Sequence, residues 1–195
     1  MTSRAPVVVG ISGASGAPIA LRVLERLDDL QIPVHLIVTP GAQRTIAQEI
    51  GPEALDLIRS LAHRIHPPED VGASVASGSF ATAGMIVVPC SMHSLAAIAT
   101  GLTHNLLVRA ADVHLKERRR LVLLPREAPL HLGHLRNLCR TAELGAVILP
   151  PVPAFYHRPQ SLAEVIDGIA ARAIDLLGLA IAPLTRPWNP DEAPS

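Results

Sequence analysis

Residues 7–18, VVVGISGASGAP, decide the fold predicted for this chain. A short apolar run leads into a loop with Gly10, Gly13 and Gly16 interleaved with Ser12 and Ser15, and a helical pattern begins directly behind it. A strand, a glycine-rich turn and a helix are typical of a phosphate site, because backbone N–H groups at a helix N-terminus attract anions. The stretch therefore predicts a phosphate-bearing ligand at the end of the first strand, the alternative being a tight structural turn without a ligand.

Two known phosphate-binding motifs are absent from the loop, and their absence narrows the class of phosphate-bearing ligand. Ser12 interrupts the G-x-G-x-x-G pattern of dinucleotide sites, and no Gly-Lys-Ser/Thr follows as in a P-loop. A dinucleotide site also needs an acidic residue at the end of the second strand, where this chain has Thr39. The sequence thus disfavours NAD and favours a mononucleotide.

Apolar runs and amphipathic stretches alternate along the rest of the chain and predict a three-layer αβα fold with a parallel, Rossmann-like sheet. The nearly all-apolar strands indicate a sheet covered on both faces. We expect a single domain over 1–182 and a Pro-rich arm over 183–195. The expected strands are 7–11, 34–38, 85–89, 121–124 and 146–149. The expected helices are 17–30, 42–49, 53–63, 91–100, 105–117, 130–144 and 161–177, with a loop containing a short helical turn at 72–82 and an irregular loop at 150–159.

Polar residues follow four of these strands, at 12–15, Thr39, 91–94 and 126–127. Ligands in such sheets bind outside the carboxyl ends of the strands, so these segments predict one shared site. Ser91 and Ser94 suit either an anion or an ordinary N-cap.

Composition excludes several classes of protein. The 195 residues carry 17 basic and 17 acidic side chains, which leaves no charge footprint for nucleic acid. Apolar runs are too short to span a membrane. Cys90 and Cys139 form no CxxC pair, so we expect reduced thiols in a cytoplasmic protein. His131 and His134 have metal-ligand spacing without an evident third ligand, so no metal is expected.

Six motifs resemble, in order and spacing, those of the UbiX-type flavin prenyltransferases, which are related to the flavin-dependent cysteine decarboxylases. The resemblance covers residues 7–178. The motifs are GISGASGA, ASGSF, PCSM, NLLVRAADVHLKERR, PREAPLHLGHL and GAVILPPVPAFYHRPQS.

The resemblance implies a flavodoxin-like sheet with non-covalent FMN. Dimethylallyl phosphate would donate its prenyl group to N5 and C6 of reduced FMN, and the prenylated FMN would pass to a UbiD-type decarboxylase. It also implies a homo-oligomer, expected to be a dodecamer. Trp188 is expected to be the tail aromatic that packs over the flavin pocket in some relatives.

The resemblance also implies site residues. The prenyl phosphate would contact Lys116, Tyr156 and Arg172, and the catalytic groups would be Ser15, Glu49 and Glu127. The FMN-binding residues would be Gly13, Ala14, Ser15, Thr39, Ser91, Met92, His93, Ser94 and Arg126.

Elementary chemistry agrees with these roles. Breaking an allylic C–O bond releases a phosphate, which cations stabilise without a metal. The alternatives are a flavin-dependent cysteine decarboxylase and a flavin-binding accessory subunit of an aromatic acid decarboxylase. The chain departs from relatives at Pro18, at Val71, where several have Trp, and at Thr39, where most have Ser; we expect the first two to affect the prenyl donor.

Overall fold

A computed structural model describes residues 4–188 and shows a six-stranded parallel sheet between helical layers. The strands are β1 (Val7–Ile11), β2 (Val34–Val38), β3 (Arg64–His66), β4 (Gly84–Cys90), β5 (Leu121–Pro125) and β6 (Val147–Ile148). The helices are α1 (Ala17–Asp29), α2 (Pro40–Glu49), α3 (Ala54–Ser60), α4 (Met92–Thr100), α5 (Leu106–Lys116), α6 (Leu132–Glu143) and α7 (Leu162–Asp175). The predicted αβα class is confirmed.

The sheet carries two hydrophobic cores, one on each face. All residues of β1, β2, β4 and β5 are buried, which explains why these strands are apolar apart from His35 in β2. One core joins the sheet to α1, α2, α3 and α7, and the other joins it to α4 and α5.

The strand order is β3-β2-β1-β4-β5-β6, so the chain reverses its direction of sheet growth between β1 and β4. Such a switch point opens a crevice at the carboxyl edge, where ligands bind. The predicted site segments therefore begin at the carboxyl edge of the sheet, where ligands are expected.

The prediction of five strands was wrong, because Arg64–His66 forms a sixth. This strand pairs with β2 at the sheet edge, and Arg64 and Ile65 are exposed, so it lacks the apolar run that marks the other strands. Without it the order is the flavodoxin order; with it the order is the Rossmann order.

Several element ends also differ from prediction. Helix α2 begins at Pro40, which occupies the first turn, where its missing N–H is not needed. Helix α6 begins at Leu132, because His131 caps it. The short helical turn predicted in the 72–82 loop is confirmed as a 3₁₀ turn over Ser74–Ala76, whereas the 3₁₀ turn over Phe155–His157 in the proline-rich loop was not predicted.

After α7 the chain folds back on the domain. Gly178 adopts a left-handed conformation, and Leu179, Ile181 and Leu184 pack against the core that contains α1 and α7. Residues 189–195 of the expected arm lie outside the described residues. Within 4–188, no helix combines the length and apolarity needed to cross a bilayer.

Candidate active site

The two central strands are joined at the switch point by Ser12. Its buried hydroxyl donates to the carbonyl of Pro89 (2.9 Å) and accepts from the backbone N–H of Ser91 (2.7 Å). The loop after β1 is thereby tied to the N-terminus of α4. This bond pair sets the distance between two predicted FMN-binding segments.

A second close approach joins the loop after β1 to α2. A Cβ placed on Gly13 would lie 2.9 Å from the carbonyl carbon of Gly41, which is a backbone atom that cannot swing aside. Thr39 caps α2 by accepting from the N–H of Ala42 (3.3 Å). The two backbones form a cradle that a side chain on Gly13 would fill, which suits a phosphate held by backbone groups.

Glu49 lies at the end of α2 and reaches back to the start of α1. Its Oε2 accepts from the N–H groups of Gly16 (2.9 Å) and Ala17 (2.8 Å), in place of the side-chain cap that Gly16 cannot provide. Desolvation opposes its ionisation, but these bonds, the Ser15 hydroxyl and the charge of Arg126 together lower the pKa of Glu49. The carboxylate is therefore ionised at neutral pH, beside Ser15.

The segment 91–94 opens α4. Ser91 accepts from the N–H of Ser94 (3.2 Å) and donates to its hydroxyl (3.2 Å). Met92 is half-buried, and the exposed ring of His93 lies edge-on to His104 at 5.1 Å.

Arg126 and Glu127 leave β5 at the same edge. The N–H of Arg126 donates to the carbonyl of Cys90 (3.1 Å), and its exposed guanidinium is close enough to influence Glu49. The carboxylate of Glu127 is exposed and accepts from the N–H of Ala128 (3.1 Å). Ser15, Glu49 and Arg126 are thus brought together in one chain.

Tyr156 and Arg172 meet at a different place, a cleft of about 750 Å³ beside α7. Both side chains are exposed, and the Tyr156 ring lies 4.3 Å from that of His157. Arg26, Arg186 and Trp188 also line the cleft. None of the described residues that line it belongs to the loop after β1 or to the segment 91–94.

Lys116 is not brought to that cleft within the chain. Helix α5 runs antiparallel to the strands, so its last residue lies at the amino edge of the sheet, just before β5. The Lys116 ammonium is hydrogen-bonded to Glu117 and lies beside Gly78. The expected proximity of Lys116 to Tyr156 and Arg172 is therefore not found in a single chain.

The remaining candidates have structural explanations. His131 Nδ1 accepts from the N–H groups of Gly133 (3.0 Å) and His134 (3.3 Å), so it caps α6. Burial raises the pKa of the Cys90 thiol to about 12, so this sulfur stays protonated at neutral pH. Within residues 4–188, no three His, Cys, Asp or Glu side chains cluster as metal ligands do.

Two residues of the site were not predicted, Ser12 as a bridge and Gly41 as the floor of the cradle. A serine directly after a buried strand and a glycine behind a Thr-Pro helix start were visible signals. Their partners, Ser91 and Gly13, are distant in sequence, so the contacts themselves could not be seen.

Comparison with known proteins agrees with this geometry. The family model described as Flavoprotein matches residues 1–173, so the chain belongs to the flavoprotein family. It is 50% identical to the flavin prenyltransferase UbiX of Thauera aromatica over 95% of each chain, and 49% identical to that of Escherichia coli K12 over 90% of this chain and 93% of the relative. Within the family, the chain belongs to the UbiX-type flavin prenyltransferases, as the sequence motifs predicted.

Solved structures give the same assignment. AnUbiX (PadA1), in complex with FMN and dimethylallyl pyrophosphate, superposes with a TM-score of 0.91 at 44% identity, covering 97% of this chain and 100% of that one. A dodecameric FMN-dependent UbiX-like decarboxylase from Escherichia coli O157:H7 has a TM-score of 0.89 at 41% identity, covering 94% and 99%. The peptidyl-cysteine decarboxylase EpiD shares the fold at 12% identity, with a TM-score of 0.58.

Proposed function

We propose that this chain binds FMN at the carboxyl edge of its sheet and transfers the dimethylallyl group of dimethylallyl phosphate to N5 and C6 of reduced FMN. The observation that carries the proposal is the shared cleft of Tyr156 and Arg172, since a protein that only stores flavin has no need of a prenyl-phosphate site. The Gly13–Gly41 cradle and the N-termini of α2 and α4 fit the FMN phosphate and ring edge.

The proposed roles follow from charge. Bound reduced FMN supplies the electron-rich N5 and C6 atoms that accept the prenyl group. The Arg172 guanidinium and the Tyr156 hydroxyl hold the phosphate and stabilise the negative charge that it gains on leaving. Arg126 adds positive charge at the loop, where Glu49, Ser15 or the departing phosphate accepts the proton that the second bond displaces. Glu127 is proposed as a further acid–base group.

A complete site is proposed to need more than one copy of the chain. The FMN loop and the prenyl-phosphate cleft share no lining residues in one chain, and Lys116 lies at the opposite edge of the sheet. Association of copies would bring these parts together. A dodecamer is proposed, supported by the dodecameric relative from Escherichia coli.

The product is proposed to pass to a UbiD-type decarboxylase in the cytoplasm. Prenylated FMN is of use only to an enzyme that takes it as a cofactor, so a recipient is required. Co-purification with such a decarboxylase, and transfer of labelled flavin to it, tests this part separately.

The deciding experiment incubates purified protein with chemically reduced FMN and either dimethylallyl phosphate or dimethylallyl pyrophosphate, followed by mass spectrometry of the flavin. We expect prenylated FMN from the phosphate. Recovery of unmodified FMN from both donors would refute the enzyme proposal and favour the accessory subunit. Arg172→Ala is expected to weaken phosphate binding while FMN stays bound; equal loss of both ligands would contradict the assigned role.

A peptide with a C-terminal cysteine, incubated with the protein and oxidised FMN, serves as a third arm, because oxidative decarboxylation of the cysteine needs the oxidised flavin as its electron acceptor. Cysteine decarboxylases share only the fold at this level of identity, and the Cys90 thiol is buried. We expect no release of CO₂ from the peptide, and release at a rate matching prenyl transfer would overturn the choice of reaction.

A further inference from the structure

The C-terminal segment is fastened to the end of α7 by one side chain. Asp175 is the last residue of α7, and the chain reverses at Gly178 within three residues of it. The reversal brings 184–185 back beside the carboxylate of Asp175. Oδ1 accepts from the N–H of Leu184 (2.8 Å), and Oδ2 accepts from both the N–H (2.9 Å) and the hydroxyl (2.5 Å) of Thr185.

These three bonds need an ionised carboxylate. Partial burial of Asp175 opposes ionisation, but the bonds from Leu184 and Thr185, with the charge of Arg172, together lower its pKa. The carboxylate is therefore ionised at neutral pH. Charge-assisted bonds of this kind are the stronger ones in proteins.

The fastened segment continues directly into the wall of the cleft. Arg186, Pro187 and Trp188 follow Thr185 and line the cleft that Tyr156 and Arg172 share. Trp188 is 63% exposed, so its ring does not fix the segment by packing in the core. The bonds to Asp175 attach the chain directly before these three residues.

Asp175 also interacts with Arg172, which lines the same cleft. Arg172 lies one turn earlier on α7, near enough that its charge affects the pKa of Asp175. One carboxylate therefore interacts with a proposed phosphate ligand on the helix and with the chain segment that continues into residues 186–188 of the same cleft.

We propose that Asp175 is a positioning residue for the prenyl-donor cleft, holding residues 184–188 as its outer wall. The inference rests on the proposed function, because it takes the occupant of the cleft to be dimethylallyl phosphate. Leu184, Pro187 and Trp188 present apolar surface on that wall, which suits the prenyl chain, while Arg172 faces the phosphate. The three hydrogen bonds from Leu184 and Thr185 to Asp175 are called the Asp175 clasp below. Loss of this clasp widens the cleft without touching FMN or the reacting atoms.

The test uses the sequence's single tryptophan, Trp188, as a reporter. Time-resolved fluorescence anisotropy measures nanosecond motion of its side chain in the full-length protein. In Asp175→Ala, we expect a larger fast component. The KM and the calorimetric Kd for dimethylallyl phosphate should rise about tenfold, the change in affinity that about 1.4 kcal/mol produces. The kcat and the Kd for FMN should stay within about twofold.

Two milder variants test whether the rise in KM becomes smaller when only part of the hydrogen bonding is lost. Asp175→Asn keeps the acceptor for Leu184 but loses the charge, and Thr185→Val removes only the hydroxyl bond. Each should give a smaller rise in KM, of about two- to fivefold if each bond contributes about 0.5–1 kcal/mol. They keep the proposal falsifiable should Asp175→Ala fail to fold. Asp56→Asn, at an exposed site on α3, is the matched control and should change neither anisotropy nor KM.

The outcomes separate the two proposals. Natural protein that makes no prenylated FMN and binds no dimethylallyl phosphate refutes the proposed function and, with it, this assignment of the cleft. Active natural protein combined with unchanged KM, Kd and anisotropy in Asp175→Ala refutes the clasp alone. Raised Trp188 mobility with unchanged KM and Kd would show that the segment is fastened but is not part of the donor site.

Discussion

The hydroxyl of Ser12 accepts a 2.7 Å hydrogen bond from the backbone N–H of Ser91, seventy-nine residues further along the chain. The same hydroxyl donates to Pro89, so one buried side chain satisfies two backbone groups at the end of β4. Because β1 and β4 flank the switch point of the sheet, this contact holds the loop after β1 against the helix that opens behind β4. The proposed FMN site is built around that contact.

Replacing Ser12 by Ala should weaken both the fold and the site. The N–H of Ser91 loses its partner, while the carbonyl of Pro89 keeps only its bond from the backbone N–H of Ser12 (3.2 Å), and this costs about 1–3 kcal/mol of the free energy of unfolding. We also expect FMN affinity to fall by about tenfold as 91–94 moves away from the loop. Urea unfolding and FMN titration measure the two effects. Ser60→Ala, on the exposed face of α3, is the control and should cost about 0.5 kcal/mol or less.

Gly13→Ala tests the cradle. The added methyl would meet the backbone of Gly41 at 2.9 Å, so the loop and α2 must separate. We expect loss of FMN binding by about tenfold or more with the far-ultraviolet circular dichroism unchanged, since neither element is interrupted. Gly72→Ala is the matched control, because its methyl would meet nothing closer than a side-chain oxygen at 3.6 Å. Equal FMN affinity in the two variants would show that the cradle is not part of the FMN site.

Glu49 has a structural role, because it accepts hydrogen bonds at the start of α1, and a proposed chemical role as a proton acceptor. The dependence of stability on pH tests the structural role. Its pKa is lowered in the folded state, so its stabilising bonds to α1 are present above the ordinary carboxyl pKa and are lost as pH falls through the lowered value. Glu49→Ala should therefore reduce the free energy of unfolding by about 1 kcal/mol at pH 7 and by less at pH 3. Urea unfolding at the two pH values measures this.

Glu49→Gln probes the chemistry, because glutamine is isosteric but cannot accept a proton. Prenylated FMN should form more slowly, while the Kd for FMN changes little. A rate equal to that of the natural protein would assign the proton to Ser15 or to the departing phosphate.

The sequence predicted the parts of the site that are local and missed those that are not. Ser91 was recognisable as a helix cap, because a cap needs only a side-chain oxygen and an N–H three residues later. The strand ends were equally visible, since the central strands are apolar throughout. The edge strand Arg64–His66 was missed because its first two side chains are exposed.

Assembly of the predicted residues was harder to foresee than their identity. Lys116 and Arg172 were grouped by motif, but the direction in which α5 runs sends Lys116 to the far edge of the sheet. A motif fixes which residue types occur and not which copy of the chain supplies them. The Asp175 clasp left no pattern in the sequence, because two of its three partners are backbone N–H groups whose positions depend on the turn at Gly178.

A buried histidine pair far from the site predicts how stability depends on pH. His35 on β2 and His66 on β3 are both buried, with Nδ1 of His35 3.0 Å from Nε2 of His66. Burial, the neighbouring His66 and the charges of Arg64 and His63 lower the pKa of His35 to about 4. Burial and Arg64 also lower the pKa of His66, against the opposing charge of Asp70.

Both rings are therefore neutral in the folded protein, whereas in the unfolded chain they bind protons below about pH 6.5. Folding stability is intact above that value and declines as the pH falls from about 6.5 to about 4. At pH 5, His35 alone should reduce the free energy of unfolding by about 2 kcal/mol, because one pKa unit corresponds to 1.36 kcal/mol.

Urea unfolding at pH 7.5 and pH 5.0 should show this loss in the natural protein. The loss should be smaller in the double variant His35→Gln, His66→Gln, which has no buried group left there to protonate. His157→Gln, at an exposed position, should keep the natural dependence on pH. An equal loss in the double variant would assign the acid sensitivity instead to another buried histidine such as His114, whose pKa is also lowered by burial.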